Sequence, residues 1–324
     1  MKAIARSEYG GTDRVRLDDV PDPSAGPGQV LVDVAAAGVD RGVWHLMTGR
    51  PWLVRAAIGL RRPRVAVLGR DLAGTVVALG EGVEGFAVGD RVMGVSPTGT
   101  YAERAVARAD RLVRVPTGWD LVQAGATPVS GLTGMQAVHQ FGQVQPGMRV
   151  LVLGASGGVG TFAVQFAVHA GADVDAVCSE GKADLVRGLG ASRVLPYRSD
   201  GDDLPGDAAY DVVIDIAGDR RVRRLRQVLT PRGTLVIVGG ETGGPLANGV
   251  QRQAGAALRA PFTRHRMPFM FSSEKAEELA KLVDLAEAGA FTPVVERSFA
   301  LVDAAAAIDR LERGLVRGKV VVTV

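Results

Sequence analysis

Residues 150–160 read Val150-Leu151-Val152-Leu153-Gly154-Ala155-Ser156-Gly157-Gly158-Val159-Gly160, and Thr161-Phe162-Ala163-Val164-Gln165-Phe166-Ala167-Val168-His169-Ala170 follows at once. Four apolar residues of strand type enter a glycine-rich turn, after which the apolar spacing becomes helical, so the stretch predicts a strand, a tight loop and a helix. Loop N–H groups and the positive end of the helix dipole then share one small space, where a pyrophosphate approaches the backbone without meeting a Cβ. Against the pattern G-x-G-x-x-G, Ala155 stands in the first glycine's place, Gly157 and Gly160 fit the second and third, and Gly158 is extra.

Two other readings compete for these residues. Gly154 to Gly158 also spells G-x-S-x-G, which makes Ser156 a candidate nucleophile, and Asp215 and His265 follow in the order of a serine hydrolase triad. That reading lacks an upstream His-Gly-Gly segment and the alternating strands and helices that should precede such an elbow. Residues 150–172 carry no Asp, Glu, Lys or Arg and are long enough to span a bilayer, but five glycines and the break in periodicity argue against a membrane helix.

The 324 residues are enough for about two domains, and 47% hydrophobic with 23% charged residues is ordinary for a globular chain. The N-terminal residues Met1 to Glu8 lack the apolar core of a secretory signal, so a cytoplasmic location is expected. A single cysteine, Cys178, excludes an intrachain disulfide and a cysteine-rich zinc lobe. The formal charge of +3 gives no argument for nucleic acid. The densest basic run, Arg220 to Arg226, places Val222, Leu225 and Leu229 on one helical face and its arginines on the solvated side.

Along the chain, residues 1–116 predict short strands and turns, with strand composition at Val15–Val20, Val30–Val34 and Thr75–Leu79. Residues 51–63 interrupt them with an apolar piece containing Trp52, Leu53 and Leu60, which reads as a packed excursion or as a pocket lid. A helix is expected from Pro128 toward Phe141. Beyond the glycine loop, strands at Val174–Cys178, Arg193–Leu195, Asp211–Ile216 and Thr234–Val238 alternate with helices at Lys182–Leu189, Asp219–Leu229 and Leu246–Ala260. That alternation predicts a doubly wound parallel sheet with its ligand at the carboxyl ends of the strands. A further edge strand is expected at His265–Phe271, then helix Glu274–Ala288, strand Val294–Phe299, helix Asp303–Arg313 and strand Lys319–Val324.

Several separated stretches fit one family in its own order: Gly38-Val39-Asp40, Leu68 to Gly74, Gly89-Asp90-Arg91-Val92, Gly99 to Glu103, Ser130 to Thr133, Gly157 to Gly160 and Arg317-Gly318-Lys319-Val320. Together they resemble the zinc-free, quinone oxidoreductase-like branch of the medium-chain dehydrogenases/reductases. The resemblance implies an α/β protein with a GroES-like β-rich catalytic domain (1–124 and 272–324) and a Rossmann domain (125–271) between its two parts. Zinc-dependent relatives carry a Gly-His-Glu segment, where this chain has Gly69-Arg70-Asp71, and its four histidines have no paired spacing, so no metal is expected. The resemblance also implies a homodimer paired through the edge segment 265–271.

A site for NAD ends its second strand in Asp or Glu; here that position is Cys178-Ser179, with Lys182 three residues on. Ser179 donates to a 2′-phosphate and Lys182 neutralises it, with Glu180 turned to solvent, so NADP(H) is the expected cofactor. The resemblance adds Tyr197 as a residue closing over that phosphate, and Thr133, Ala217, Gly218, Gly239, Gly240, Phe271 and Lys319 near the nicotinamide or its ribose. Ala155, Ser156, Gly157, Gly158, Val159 and Gly160 complete the set around the pyrophosphate. Without metal, the chemistry is hydride transfer to a small-molecule acceptor, a quinone or an activated double bond, with an enoyl thioester as the alternative substrate. An NADPH-binding sensor or scaffold is the reading from a different class. His45 is the titratable candidate for proton donor, Asp40 stands where the family has an asparagine on the nicotinamide ribose, and Trp52 is a candidate pocket wall.

Overall fold

The computed structural model describes residues 1–198, 204, 209–218, 220–239 and 250–324. The chain divides into two units, one formed by Met1–Leu132 with Ser273–Val324 and the other by Thr133–Ser272.

In the first unit, β1 (Lys2–Ala5) and β2 (Arg16–Asp19) form an antiparallel pair, and the long β3 (Gln29–Val39) leads into α1 (Arg41–Thr48) and the short α2 (Arg55–Ile58). β4 (Asp71–Leu79), β5 (Arg91–Val95), β6 (Arg104–Arg108) and β7 (Leu112–Arg114) follow, then α3 (Leu121–Gly125) and α4 (Pro128–Met135), within which the chain passes to the second unit. β3 holds the sheet together. It pairs antiparallel with β4 and β6, and with a strand from the far end of the chain. Val30, Val32 and Val34 turn one face of β3 into a core shared with Leu72, Val76 and Val92. That alternation along β3 is what a sheet with one packed face requires.

In the second unit, β8 (Arg149–Leu153), α5 (Gly158–His169), β9 (Asp173–Cys178), α6 (Ala183–Gly188), β10 (Arg193–Pro196), β11 (Tyr210–Asp215), α7 (Val222–Gln227), β12 (Leu229–Ile237) and α8 (Val250–Arg259) follow one another. The strands form a parallel sheet in the order β10-β9-β8-β11-β12. The order reverses beside β8, which places a ligand crevice at the carboxyl ends of β8 and β11. Residues 150–153 of β8 are all buried, as in a strand covered on both faces. Phe162 and Phe166 of α5 stack at 6.3 Å on the helix's buried side.

The tail returns to the first unit with α9 (Ala276–Glu287), β13 (Val295–Ala300), α10 (Ala304–Glu312) and β14 (Lys319–Thr323). β14 lies between β13 and β3, with Val321 opposite Gly38.

One expectation is refined and another is corrected. The helix from Pro128 changes hydrogen-bonding pattern after Met135 and runs as a π-helix over Gln136–Gly142. Segment 265–271 is not a strand: its sheet contact is a single parallel bridge between Arg266 and Thr234, and the Arg266 guanidinium bonds the Phe141 carbonyl at 2.8 Å and the Gln143 side chain. Its side chain is thus spent on the C-terminal turn of the π-helix rather than on a strand face. The units divide after Leu132, beyond the expected residue 124, because the Val129 N–H donates to Asp71 at 2.7 Å and Ser130 bonds Lys319 at 3.0 Å, which fastens the start of α4 to the first unit. No helix among the described residues is long and apolar enough to cross a membrane.

Candidate dinucleotide-binding site

The glycine loop leaves β8 through Gly154, whose φ of +83° is the left-handed region that glycine occupies without strain. Gly154 and Ala155 both donate to the Val177 carbonyl at 3.1 Å, which ties the loop to the end of β9. Gly160 is required for a different reason. A Cβ there would lie 2.1 Å from the Gly154 carbonyl oxygen, so only glycine lets α5 begin this close to the loop. Gly157 is the N-cap residue of α5 and, lacking a side chain, leaves the first-turn N–H groups without a side-chain cap. An N-terminus in that condition suits an anion.

Beside this turn lies a cleft of about 110 Å³ at the carboxyl ends of β8, β9, β10 and β11. It is lined by Leu153, Gly154 and Ser156 from the end of β8 and its loop, by Val177, Cys178, Ser179 and Tyr197 from the ends of β9 and β10, and by Ala217 and Arg220 from beyond β11. Burial pushes the Cys178 thiol up, against the pull of Lys182 and Arg187, so the group between loop and Ser179 is a neutral thiol. Among the described residues lining the cleft, Arg220 is the only charged one. It is 7% exposed, and its guanidinium stacks on the Tyr197 ring at 4.7 Å.

A buried ion pair supports this wall. Asp215, at the end of β11, accepts from the Gly218 N–H at 3.0 Å and from Arg252 of α8 at 2.7 Å. The same Arg252 nitrogen donates to the Arg220 carbonyl, so the backbone of the cleft wall is fixed by a pair lying behind it.

The structure therefore gathers Ala155, Ser156, Gly157, Gly158, Val159, Gly160, Ser179, Tyr197, Ala217 and Gly218 around the carboxyl edge of the sheet. Gly239 joins them through its N–H to the Asp215 carbonyl at 3.4 Å, while Gly240 lies outside the described residues. Thr133 sits on α4, half-buried. Lys182 ends a 3₁₀ turn over Glu180–Lys182, half-buried but outside the cleft lining, with Glu180 exposed. Phe271 is 82% exposed.

Arg220 is the residue that the sequence concealed. Its run of arginines reads as one solvated helix face, but α7 begins only at Val222, and Arg220 belongs to the loop from β11, where ligands of such sheets bind. Its place two residues beyond Gly218, at a strand's carboxyl end, was the available signal.

Lys319 has partners that the sequence did not reveal. It is 1% exposed, and its ammonium donates to Asp71 Oδ2 at 3.2 Å and Ser130 Oγ at 3.0 Å. Gly38 makes room for this pair, since a Cβ there would lie 2.3 Å from Asp71 Oδ2. The remaining candidates of the first unit have local tasks. Asp40 is the N-cap of α1 and accepts from the Val43 N–H at 3.1 Å through Oδ1, while its buried Oδ2 has no hydrogen-bond partner among the described residues. His45 holds the Arg50 carbonyl through Nδ1 at 2.7 Å and meets Trp44 edge to face. Trp52 is 51% exposed, Leu53 62% and Leu60 73%, so residues 51–63 are not a packed excursion. At the place of the relatives' Gly-His-Glu segment, Arg70 makes a two-pronged contact with Glu274 at 2.5 and 2.6 Å.

The hydrolase reading finds no support. Asp215 is engaged by Arg252 and Gly218, and the His265 ring accepts from Arg226 at 3.2 Å through Nδ1. Both partners that Ser156 would need serve other groups.

A parallel sheet with its switch point at a glycine loop, an uncapped helix start and a cleft at its carboxyl edge defines a dinucleotide-binding protein. Two family descriptions match the chain: "Alcohol dehydrogenase GroES-like domain" over residues 26–117 and "Zinc-binding dehydrogenase" over residues 189–322. A chloroplastic quinone oxidoreductase of Triphysaria versicolor is 30% identical over 99% of this chain and 98% of its own length. A pikromycin polyketide synthase component of Streptomyces venezuelae is 38% identical over 68% of this chain, and the match spans only 6% of that much longer protein. A mycobacterial protein solved in complex with NADPH superposes with a TM-score of 0.84 at 28% identity, over all of both chains. The chain belongs to the quinone oxidoreductase-like branch of the medium-chain dehydrogenase/reductase superfamily.

Proposed function

We propose that this chain is an NADPH-dependent reductase that passes hydride to a quinone or an α,β-unsaturated carbonyl compound without zinc. One observation carries the cofactor reading: the cleft at the end of β9 offers Ser179, Tyr197 and Arg220, with no carboxylate among its described lining residues. An acid there would hydrogen-bond the ribose 2′-hydroxyl of NAD and repel a 2′-phosphate; a hydroxyl and a guanidinium do the reverse. The NADPH bound to the mycobacterial neighbour agrees with this reading.

Gly157 and the N-terminal turn of α5 would hold the pyrophosphate by backbone N–H groups, with Ser156 beneath it. When bound, the nicotinamide supplies the hydride. The chain contributes alignment and exclusion of water around the acceptor. The metal-free reading is supported at the relatives' zinc-ligand segment, where Arg70 is committed to Glu274 and Asp71 to Lys319. Cations occupy these carboxylates, and an arginine replaces the imidazole ligand.

An enoyl thioester is the second substrate reading, supported by the similarity to a polyketide synthase component. We further propose a cytoplasmic homodimer that covers the apolar surface around segment 265–271, where Phe262 is 89%, Phe269 48% and Phe271 82% exposed. A monomeric mass by light scattering at working concentration would refute the dimer. The function is tested by following NADPH oxidation with a panel of quinones, enones and enoyl thioesters. Turnover on the first two groups is expected, turnover on thioesters alone would favour the second reading, and tight binding without turnover on any acceptor would refute both.

A further inference from the structure

We infer that Arg220, rather than Lys182, is the specificity-determining cation for the cofactor's 2′-phosphate, an inference that rests on the NADPH reading above. Ser179 follows β9 and Arg220 follows β11, the two strands flanking β8, so they approach the glycine loop from opposite sides. Tyr197 follows β10, at the far edge of the sheet, three strand spacings from β11, which is about 14 Å. The stacking of Arg220 on Tyr197 therefore carries a positive charge across the carboxyl ends of β8 and β9. Lys182 donates its backbone N–H to the Ser179 carbonyl at 2.9 Å but is not itself among the residues lining the described cleft.

The chemistry favours the arginine. A guanidinium presents two parallel N–H groups to two phosphate oxygens, whereas an ammonium on a flexible stem presents a point charge. With Arg220 93% removed from solvent, its interaction with a phosphate is weakly screened, and the rotamer is already ordered against Tyr197 before any ligand arrives. The Arg252 bond is made to the Arg220 carbonyl, so replacing the side chain leaves that backbone anchor in place.

The test uses the full chain and four ligands: NADPH and NADH, and the fragments adenosine 2′,5′-bisphosphate and 5′-AMP, which differ by the 2′-phosphate alone. Affinities are measured by titration, and thermal denaturation of each variant checks the fold. Arg220→Gln is expected to weaken NADPH and the bisphosphate about tenfold to a hundredfold, the scale of a charge-assisted pair, with NADH and 5′-AMP changed less than about threefold. Arg220→Lys should recover part of the loss, and Lys182→Ala should cost less than Arg220→Gln. An equal loss for all four ligands would overturn the inference and make Arg220 a stacking residue for adenine. A larger loss in Lys182→Ala, or undiminished preference for the 2′-phosphate in Arg220→Gln, would overturn it too while leaving the NADPH reading standing. Equal wild-type affinities for NADPH and NADH would overturn that reading and this one with it.

Discussion

Asp71 and Lys319 are 248 residues apart in sequence and meet in the dry interior of the first unit, 0% and 1% exposed. Desolvation lifts the Asp71 carboxyl from 3.8 to about 6, with the attraction of Lys319 and the hydrogen bond from Val129 opposing the rise. The sign of the linkage follows. Between these values the folded protein holds a proton that the unfolded chain releases, so Asp71 makes the fold less stable as pH rises from about 4 to about 6, by up to about 3 kcal/mol. Chemical denaturation of the wild type and Asp71→Asn at several pH values should show wild-type stability falling relative to the variant across that window. Parallel profiles would refute the assignment. Lys319→Met leaves a buried carboxyl without its cation and is expected to cost about 3–5 kcal/mol above that range, read as a lower denaturation midpoint. The motif containing Lys319 was legible in the sequence, but its partner was not, because an ion pair between distant segments leaves no spacing to read.

Helix α1 shows how an element assigns a task to a residue. Asp40 precedes Arg41 with an extended backbone and accepts the Val43 N–H, which satisfies one of the donors left over at a helix start. Asp40→Ala is expected to lower stability by about 1 kcal/mol, and Asp40→Asn, which keeps the cap, by much less, both measured by thermal denaturation. Equal losses would show that the carboxylate's charge matters more than the cap. Element boundaries also decided Arg220. A basic run reads as one helix until α7 is seen to begin at Val222, after which Arg220 belongs to a strand-end loop and faces the cleft. Segment 265–271 failed in the opposite sense. It is expected as a further edge strand, but one bridge to Thr234 and the Arg266 contacts with the π-helix set its path instead. Local pattern cannot foresee a competing partner.

At the scale of the whole chain, β14 determines whether the first unit closes. It lies between β13 and β3 and sends Val320 and Val322 into the core shared by β3 and β4. Removing residues 319–324 exposes the edge of β3 and opens that core. The truncated chain should lose the thermal transition of the first unit and become protease-sensitive within residues 1–132, while segments of the second unit stay protected longer. Uniform cleavage throughout would contradict the division into two units.

By itself the sequence determined the parallel sheet and the glycine loop, and its resemblance to a known family implied that both chain ends belong to the β-rich unit. These rest on signals that are local or recur in order: apolar runs of strand length, a turn without Cβ atoms, and motifs spaced along the chain. Only the tertiary structure decided which charges face a ligand and which are consumed in the interior. Lys319 went to Asp71, Arg70 to Glu274, and Arg220 to the cleft. The physical reason is that burial and partnership depend on which distant segments the fold brings within a few ångströms, and an ionic group's role is set by that surrounding rather than by its neighbours in sequence.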